Sequence, residues 1–398
     1  MIKIAIIISH PIQHFCPMYA SWAEFPDWEI MVFFASTIGL ESFTDHDFGA
    51  TFRWEGLQLN FPYVFLNTGK QIDISNNIDA VDLYDQLDQY CPNVIVVYGY
   101  IQRLQRRAIN YGLKNNIKLL MISDSELRQH RPLYKKVTKK IILTHYFRKI
   151  DGFLTVGDSN EDYYQFYGVE PYRLFRSPFP INRDYFDQFI ADKKHYRHAI
   201  TTKHRIPEDN IIVAVVGKLV PWKRQKDIID ALYELEDTKK PITALIIGSG
   251  SDQEQLVQLS KSINKKHQVI FTGFVQPVDL PKYYLATDIY LHPSEVDRHS
   301  LAISEASYMG CPILLSDRCG SYGPCDDVQP GRNGFVYPCG DIKSLSYYLK
   351  YLINTPELRK RFSRNSREIA VNSQRLAHGE GLKSAITALG LHSSALKL

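Results

Sequence analysis

Two stretches of this 398-residue chain gather glycine, cationic and acidic residues at spacings that could do chemistry. The first, 215–232, reads VVGKLVPWKRQKDIIDAL. An apolar run stops at Gly217, a short loop carries Lys218 and Lys223, and a helix is expected from about Arg224 or Gln225. Such a loop suits a diphosphate. Glycine lets the backbone come close, two ammonium groups neutralise phosphate oxygens, and a helix start adds unpaired N–H donors. A solvated Lys/Arg-rich loop has the same composition, so at this point both readings stand. The second stretch, 292–317, reads HPSEVDRHSLAISEASYMGCPILLSD. A strand is expected to end near Ser294 and a helix to start near Ser300, with Gly310 and Pro312 stopping it. Glu305 is an acid inside this small, apolar helix, and a buried carboxylate is costly unless something pairs with it. Its partner is either a pair of sugar or ribose hydroxyls or an internal arginine. Asp297 sits in the loop leading into the same helix.

The elements that must position these residues follow from the alternation of apolar runs with helical stretches. Runs at 2–9, 30–35, 94–98, 118–123 and 153–156 read as buried strands, and residues 101–116 between two of them read as helix. The pattern restarts after the Pro-rich segment 177–182 (SPFPIN), a linker candidate, with strands expected at 211–216, 243–248, 269–273, 288–294 and 312–316. Alternation of this kind predicts α/β architecture with parallel sheets. Neither half has GxGxxG after its first strand, and GxxxxGK[ST] is absent, which argues against dinucleotide and P-loop folds. Residues 357–389 read as a pair of closing helices.

Both clusters resemble the signature of the retaining family 4 glycosyltransferases, which have the GT-B fold. The family shows G-R-L-x-x-x-K-G after the first strand of its second domain. Gly217, Lys218, Leu219 and Lys223 follow that frame, with Lys218 for the arginine and Arg224 for the last glycine. The family's E-x-F-G-x-x-x-x-E, followed by A-x-x-x-G-x-P, is matched by Asp297 through Glu305 to Pro312, with Asp for the first Glu and His299-Ser300 for Phe-Gly. IIGSG at 246–250, FTGF at 271–274, HPS at 292–294, GRNG at 331–334 and Asp341 extend the likeness over about residues 205–345. Ser9-His-Pro-Ile-Gln13 is similar to the opening of some capsule and lipopolysaccharide members.

The resemblance implies two Rossmann-like α/β/α domains facing each other across a cleft. Residues 1–178 would form the acceptor domain, 179–375 the nucleotide-sugar donor domain, and 376–398 a C-terminal helix packing back on the first. It implies retaining transfer of a sugar from a nucleotide-diphosphate sugar to a saccharide or lipid-linked saccharide in surface polysaccharide synthesis. UDP is expected because it is the commonest donor among related enzymes. Lys218 and Lys223 would hold the diphosphate, Glu305 the ribose hydroxyls and Asp297 the transferred sugar. Backbone N–H groups of His299, Ser300 and Leu301 would contact sugar and phosphate, and Gly217, Gly248, Gly250 and Phe274 would complete the donor pocket. No DxD triplet is present, so lysines and a helix start are expected to carry the leaving-group charge without metal or cofactor. Asp in place of Glu shortens the reach by one methylene and leaves the transferred sugar open. The histidine many relatives carry in the first domain has no counterpart at Tyr98-Gly-Tyr100.

On the acceptor side, His10, His14, Asp124 and Glu126 follow strand ends, where α/β sheets bind ligands; His10 and Asp124 are the preferred catalytic candidates, beside Lys223, Asp297 and Glu305. Residues 128–149 interleave basic and apolar side chains, as in a segment lying on an anionic membrane surface or in an ordinary surface helix. The net charge of +4 gives no reason to expect nucleic acid. Six cysteines without a CxxC pair read as reduced thiols. A secretory leader and a membrane span are not expected, which predicts a cytoplasmic chain, peripheral at most. The 25 tyrosines suit either packing or a sugar cleft. Rival readings are a GT-B nucleotide-sugar epimerase or phosphorylase, and a catalytically silent nucleotide-sugar-binding subunit.

Overall fold

The computed structural model describes residues 1–391 except 41–42, 46–49, 53–56, 71–73, 129–132, 236–237 and 264–265; side chains are also left undescribed at 43–45, 50–52, 68 and 133–137. The run IKIAIII forms β1 (Ile2–Ile8), buried along nearly its whole length because helices cover both faces of the sheet it centres. With it come β2 (Trp28–Phe34), β3 (Phe43–Asp45), β4 (Ala50–Phe52), β5 (Tyr63–Phe65), β6 (Val94–Tyr98), β7 (Lys118–Ser123), β8 (Gly152–Thr155) and β9 (Leu174–Arg176). Seven of these pair in the order β5-β2-β1-β6-β7-β8-β9, all parallel, while β3 and β4 form a separate antiparallel pair. A second parallel sheet holds β10 (Ile211–Val216), β11 (Ile242–Ile247), β12 (Gln268–Gly273), β13 (Ile289–His292), β14 (Ile313–Ser316) and β15 (Gly334–Tyr337), ordered β12-β11-β10-β13-β14-β15.

All ten strands expected from the sequence are present, with ends shifted by two residues at most. The unexpected ones, β3, β4, β5, β9 and β15, have three or four residues each, too few to show an apolar run. Tyrosine goes into packing: Tyr163, Tyr164, Tyr284, Tyr290 and Tyr337 are among the largest fully buried side chains.

The Pro-rich segment 177–182 is almost wholly buried. It is fastened to the helix Pro356–Arg375 by Gln374, whose Oε1 accepts from Ile181 N at 2.8 Å and whose Nε2 donates to Phe179 O at 3.0 Å. Beyond a kink at 376–380 the helix Gly381–Ala388 crosses back and places Leu382, Ala385 and Ile386 in the core beneath β1 and β2. Trp22 Nε1 donates to Ala377 O at 3.0 Å across this join.

Candidate active site

The loops after β10 and β11 run side by side at the carboxyl ends of their strands. Gly217 N donates to Ile247 O at 3.0 Å and Leu219 N to Ser249 O at 2.9 Å, so the ladder continues past the sheet. This approach requires glycine. A Cβ at Gly248 would lie 1.9 Å from Gly217 O, and one at Gly250 2.3 Å from Leu219 O, at φ of +139° and +159°. Both residues therefore have a backbone reason to be glycine, whatever they also do for a ligand.

The first loop continues into a short turn, Pro221–Lys223, and the helix starts at Lys226, slightly later than expected. Arg224, at the glycine position of the family frame, takes a left-handed conformation (φ +53°) and bonds Asp227 at 2.9 and 3.0 Å. Lys218 lies in the loop, its carbonyl accepting from Gln225 Nε2 at 2.8 Å. The turn is anchored to the loop after β13 by Glu295 N, which donates to Trp222 O at 2.8 Å.

That anchoring brings Lys223 to Asp297. Lys223 Nζ lies 2.5 Å from Asp297 Oδ2, and His292 Nε2 lies 2.8 Å from the same oxygen. A carboxylate only accepts, so Nε2 carries the proton and Nδ1 accepts from Tyr290 OH at 3.4 Å. Burial opposes ionisation of Asp297, but His292 and Lys223 outweigh it and hold the carboxyl well below its usual range. Burial also lowers His292, against the pull of Asp297, so the ring is neutral. The far side of the loop is tied down by Gly320 N to Asp297 O at 2.9 Å and by Ser300 N to Ser321 Oγ at 2.8 Å. The Ser300 N–H, expected to face sugar and phosphate, is thus bonded within the protein. The helix that follows is Leu301–Tyr308.

Glu305, on that helix, is partly buried, and its partner is neither of the two arginine-or-sugar alternatives: Tyr284 OH donates to Oε2 at 2.9 Å. Burial pushes Glu305 up to about 7, with the Tyr284 bond pulling the other way. The His299 side chain turns away from the loop into the seam between the domains. Its Nδ1 is 3.9 Å from Asp326 Oδ1 and its Nε2 3.4 Å from Asp327 Oδ2, with hydrogen bonds on neither nitrogen, and its ring meets Phe179 edge-on at 5.5 Å. Burial lowers the imidazole, but the two aspartates outweigh it and raise it. Potential ligand atoms of these three residues lie within 4.8 Å of one another, a spacing that also admits a cation. Asp326 reaches the first domain, accepting from Asp158 N at 2.7 Å, and Asp158 in turn accepts from Cys325 N at 2.8 Å and from Arg176 Nη2 at 2.5 Å.

Among the acceptor-side candidates, Asp124 follows β7 and lies 3.4 Å from Arg298 Nη1, next to Asp297 in the chain. Glu126 accepts from Arg128 N. His10 Nδ1 is 2.9 Å from Ser9 Oγ, and burial pushes both His10 and His14 down to about 4. Among the described residues no hydrogen bond or ion pair joins His10 or His14 to Lys223, Asp297 or Glu305. Phe274 is 38% exposed just past β12. All six cysteines are free thiols. Sequence reasoning missed Tyr284, Asp326, Asp327 and Arg176; the one available signal was the Asp326-Asp327 pair, which needs a cation or donors if buried.

Residues 197–369 match the family described as Glycosyl transferases group 1. The chain carries a glycosyl transferases group 1 domain. The group 1 domain contains both lysines, Asp297 and Glu305, while Asp124 and His10 lie outside it. An uncharacterized glycosyltransferase of Haemophilus influenzae is 31% identical over 160 residues, 40% of this chain and 44% of that one. A GDP-mannose-dependent alpha-mannosyltransferase of Mycobacterium tuberculosis is 26% identical over 147 residues, 37% of this chain and 35% of that one. The chain thus matches less than half the length of these curated relatives. The crystal structure of Anabaena Alr3699/HepE in complex with UDP aligns at a TM-score of 0.69 with 17% identity, covering 96% of this chain and 100% of that one. The likeness extends the GT-B fold, two facing parallel-sheet domains, beyond the group 1 domain to both halves of the chain.

Proposed function

We propose that the chain is a retaining glycosyltransferase that takes a sugar from a nucleotide-diphosphate donor, UDP-linked, and passes it to a saccharide or lipid-linked saccharide in surface-glycan synthesis. The observation that carries this reading is the meeting of Lys223 and Asp297 at 2.5 Å beside Glu305's helix, on loops at the carboxyl ends of β10 and β13. A diphosphate entering there competes with Asp297 for the Lys223 ammonium. Once Lys223 turns to phosphate, Asp297 is released toward the hydroxyls of the transferred sugar, with His292 still bonded to its carboxylate. The leaving diphosphate gathers charge as the glycosidic bond breaks, and fixed cations stabilise that charge most where water is scarce. Lys218, Lys223 and the backbone at the helix start serve this purpose without a metal. In front-face attack the departing phosphate oxygen accepts the acceptor's proton, so no protein base is required. In this reading Asp124 and the neutral His10 serve the acceptor as hydrogen-bonding groups.

For a lipid-linked acceptor the chain would work at a membrane surface. The helix Leu133–Phe147 supports this: Ile141 and Ile142 are 70% and 60% exposed, with Lys139 and Lys140 just before them. Lys140 lies over the Phe166 ring at 4.6 Å and Lys139 over Tyr163 at 4.9 Å, which ties part of this basic surface to the protein. Among the described residues no helix is long and apolar enough to cross a membrane. Flotation with anionic vesicles tests the surface contact, and failure to float would remove it. A thermal-shift screen across UDP-, GDP-, ADP- and CMP-sugars tests the donor, since a ligand bound only by the folded state raises the melting temperature. No shift with any of them would overturn the donor reading.

A further inference from the structure

Tyr284 lies on the helix Leu280–Ala286 and is 1% exposed. Its ring packs against Tyr290 with centroids 5.9 Å apart at 66°, and Cys311 Sγ donates to its carbonyl at 3.3 Å. Phenylalanine would fill the same space and serve the core better, since a buried hydroxyl is costly without a partner. The hydroxyl has one: it donates to Glu305 Oε2 at 2.9 Å. Glu305 Oε1 takes no bond from the described protein atoms and is not fully buried, so it is reachable from outside the core. One oxygen of the carboxylate is therefore held from behind, and the other is presented. This suits a vicinal diol, whose hydroxyls donate to a carboxylate of fixed direction.

We infer that Tyr284 is a positioning residue for ribose recognition: its hydroxyl fixes the Glu305 carboxylate so that Oε1 takes the ribose hydroxyls of the donor nucleotide. This rests on the donor reading above and adds a residue and a specificity to it. The surroundings support the assignment. Tyr284 and Tyr290 face the carboxylate from the core and Cys311 lies behind them, and among the described residues no cation stands beside it to hold it ionised. Burial pushes Glu305 up to about 7, and the Tyr284 bond pulls it down. Without that bond the carboxyl rises further, and an acid that keeps its proton accepts a diol less well.

The test compares wild type, Tyr284→Phe and Glu305→Gln by calorimetric titration with UDP and 2′,3′-dideoxy-UDP, with GDP and ADP in parallel, on both sides of about pH 7. Ligand-free melting curves check that each variant is folded. The expected result is a wild-type preference for UDP over the dideoxy nucleotide that falls roughly tenfold in Tyr284→Phe, the size of one hydrogen bond to a charged group. The pH at which UDP affinity drops should also move upward in Tyr284→Phe and disappear in Glu305→Gln. Equal weakening of both nucleotides with an unmoved pH profile would mark a packing role and overturn the inference alone. Absence of binding of any of the nucleotides to folded wild type would overturn the donor reading, and this inference with it.

Discussion

His292 ends β13 and His299 lies on the loop that follows it, both buried and both beside aspartate, yet they are driven in opposite directions. His292 faces one carboxylate, Asp297, whose charge Lys223 already meets at 2.5 Å; burial prevails and the ring stays neutral. His299 faces two carboxylates, Asp326 and Asp327, one at each ring nitrogen, and these prevail over burial. A buried imidazole thus follows the charge left over by its neighbours rather than their identity. The first histidine is suited to aim a carboxylate by hydrogen bonding. The second is suited to tie the loop after β13 to the domain seam by charge.

The strongest way to break the comparison is to remove the lysine that distinguishes the two sites. Lys223→Ala should lower the rate of sugar transfer by about two to three orders of magnitude, as loss of a charge-stabilising group in an active site does. The same change should raise the His292 imidazole, because Asp297 is then unshared and the repulsion from Lys223 is gone. Single-turnover transfer and an NMR titration of the ring measure the two effects. An unmoved His292 would show that burial alone keeps it neutral.

Next in size is the seam. Asp327→Ala leaves His299 with one carboxylate and deprives Ser304 and Ser373 of a hydrogen-bond acceptor. Removing one member of a buried charged group costs about 3–5 kcal/mol, which urea denaturation would read directly. A loss below about 1 kcal/mol would mean that His299 is neutral in the folded chain. His292→Phe keeps the ring packing but takes a donor from Asp297. Transfer should slow roughly tenfold with little change in stability, a hydrogen bond to a charged group being worth about that much.

The smallest effect is one of pH. Because the folded His299 is raised above its ordinary 6.5, its stabilising contribution is complete below that value and is lost as pH rises through the folded value. Melting temperature should therefore decline from about pH 6.5 upward, and that decline should flatten in Asp327→Ala. Asp326, raised to about 6 chiefly by burial, costs stability as pH rises from the ordinary carboxyl range to about 6, a lower window than that of His299, so the two are separable.

The same contrast explains what was legible in the sequence. Parallel strands covered on both faces are continuous apolar runs, so the centres of both sheets were readable, while three-residue edge strands such as YVF and LFR carry no such signal. The spacing of Lys223, Asp297 and Glu305 is local to two strand–loop–helix units and is visible along the chain. Their partners are not. Tyr284 approaches Glu305 from a preceding helix, Asp158 and Arg176 reach the Asp326 segment across the seam, and side-chain direction decided that His299 points away from the loop its backbone belongs to. Resemblance to a family frame carries positions, whereas pairings that depend on a third dimension need coordinates.

The returning helix Gly381–Ala388 has a consequence for how the molecule is made. Leu382, Ala385 and Ile386 sit in the same core as β1 and β2, although β1 and β2 are synthesised roughly 350 residues or more before them. On a ribosome the first domain emerges early but must wait, with part of its apolar interior uncovered, until the last helix arrives. The half that is translated first is therefore the half that is finished last.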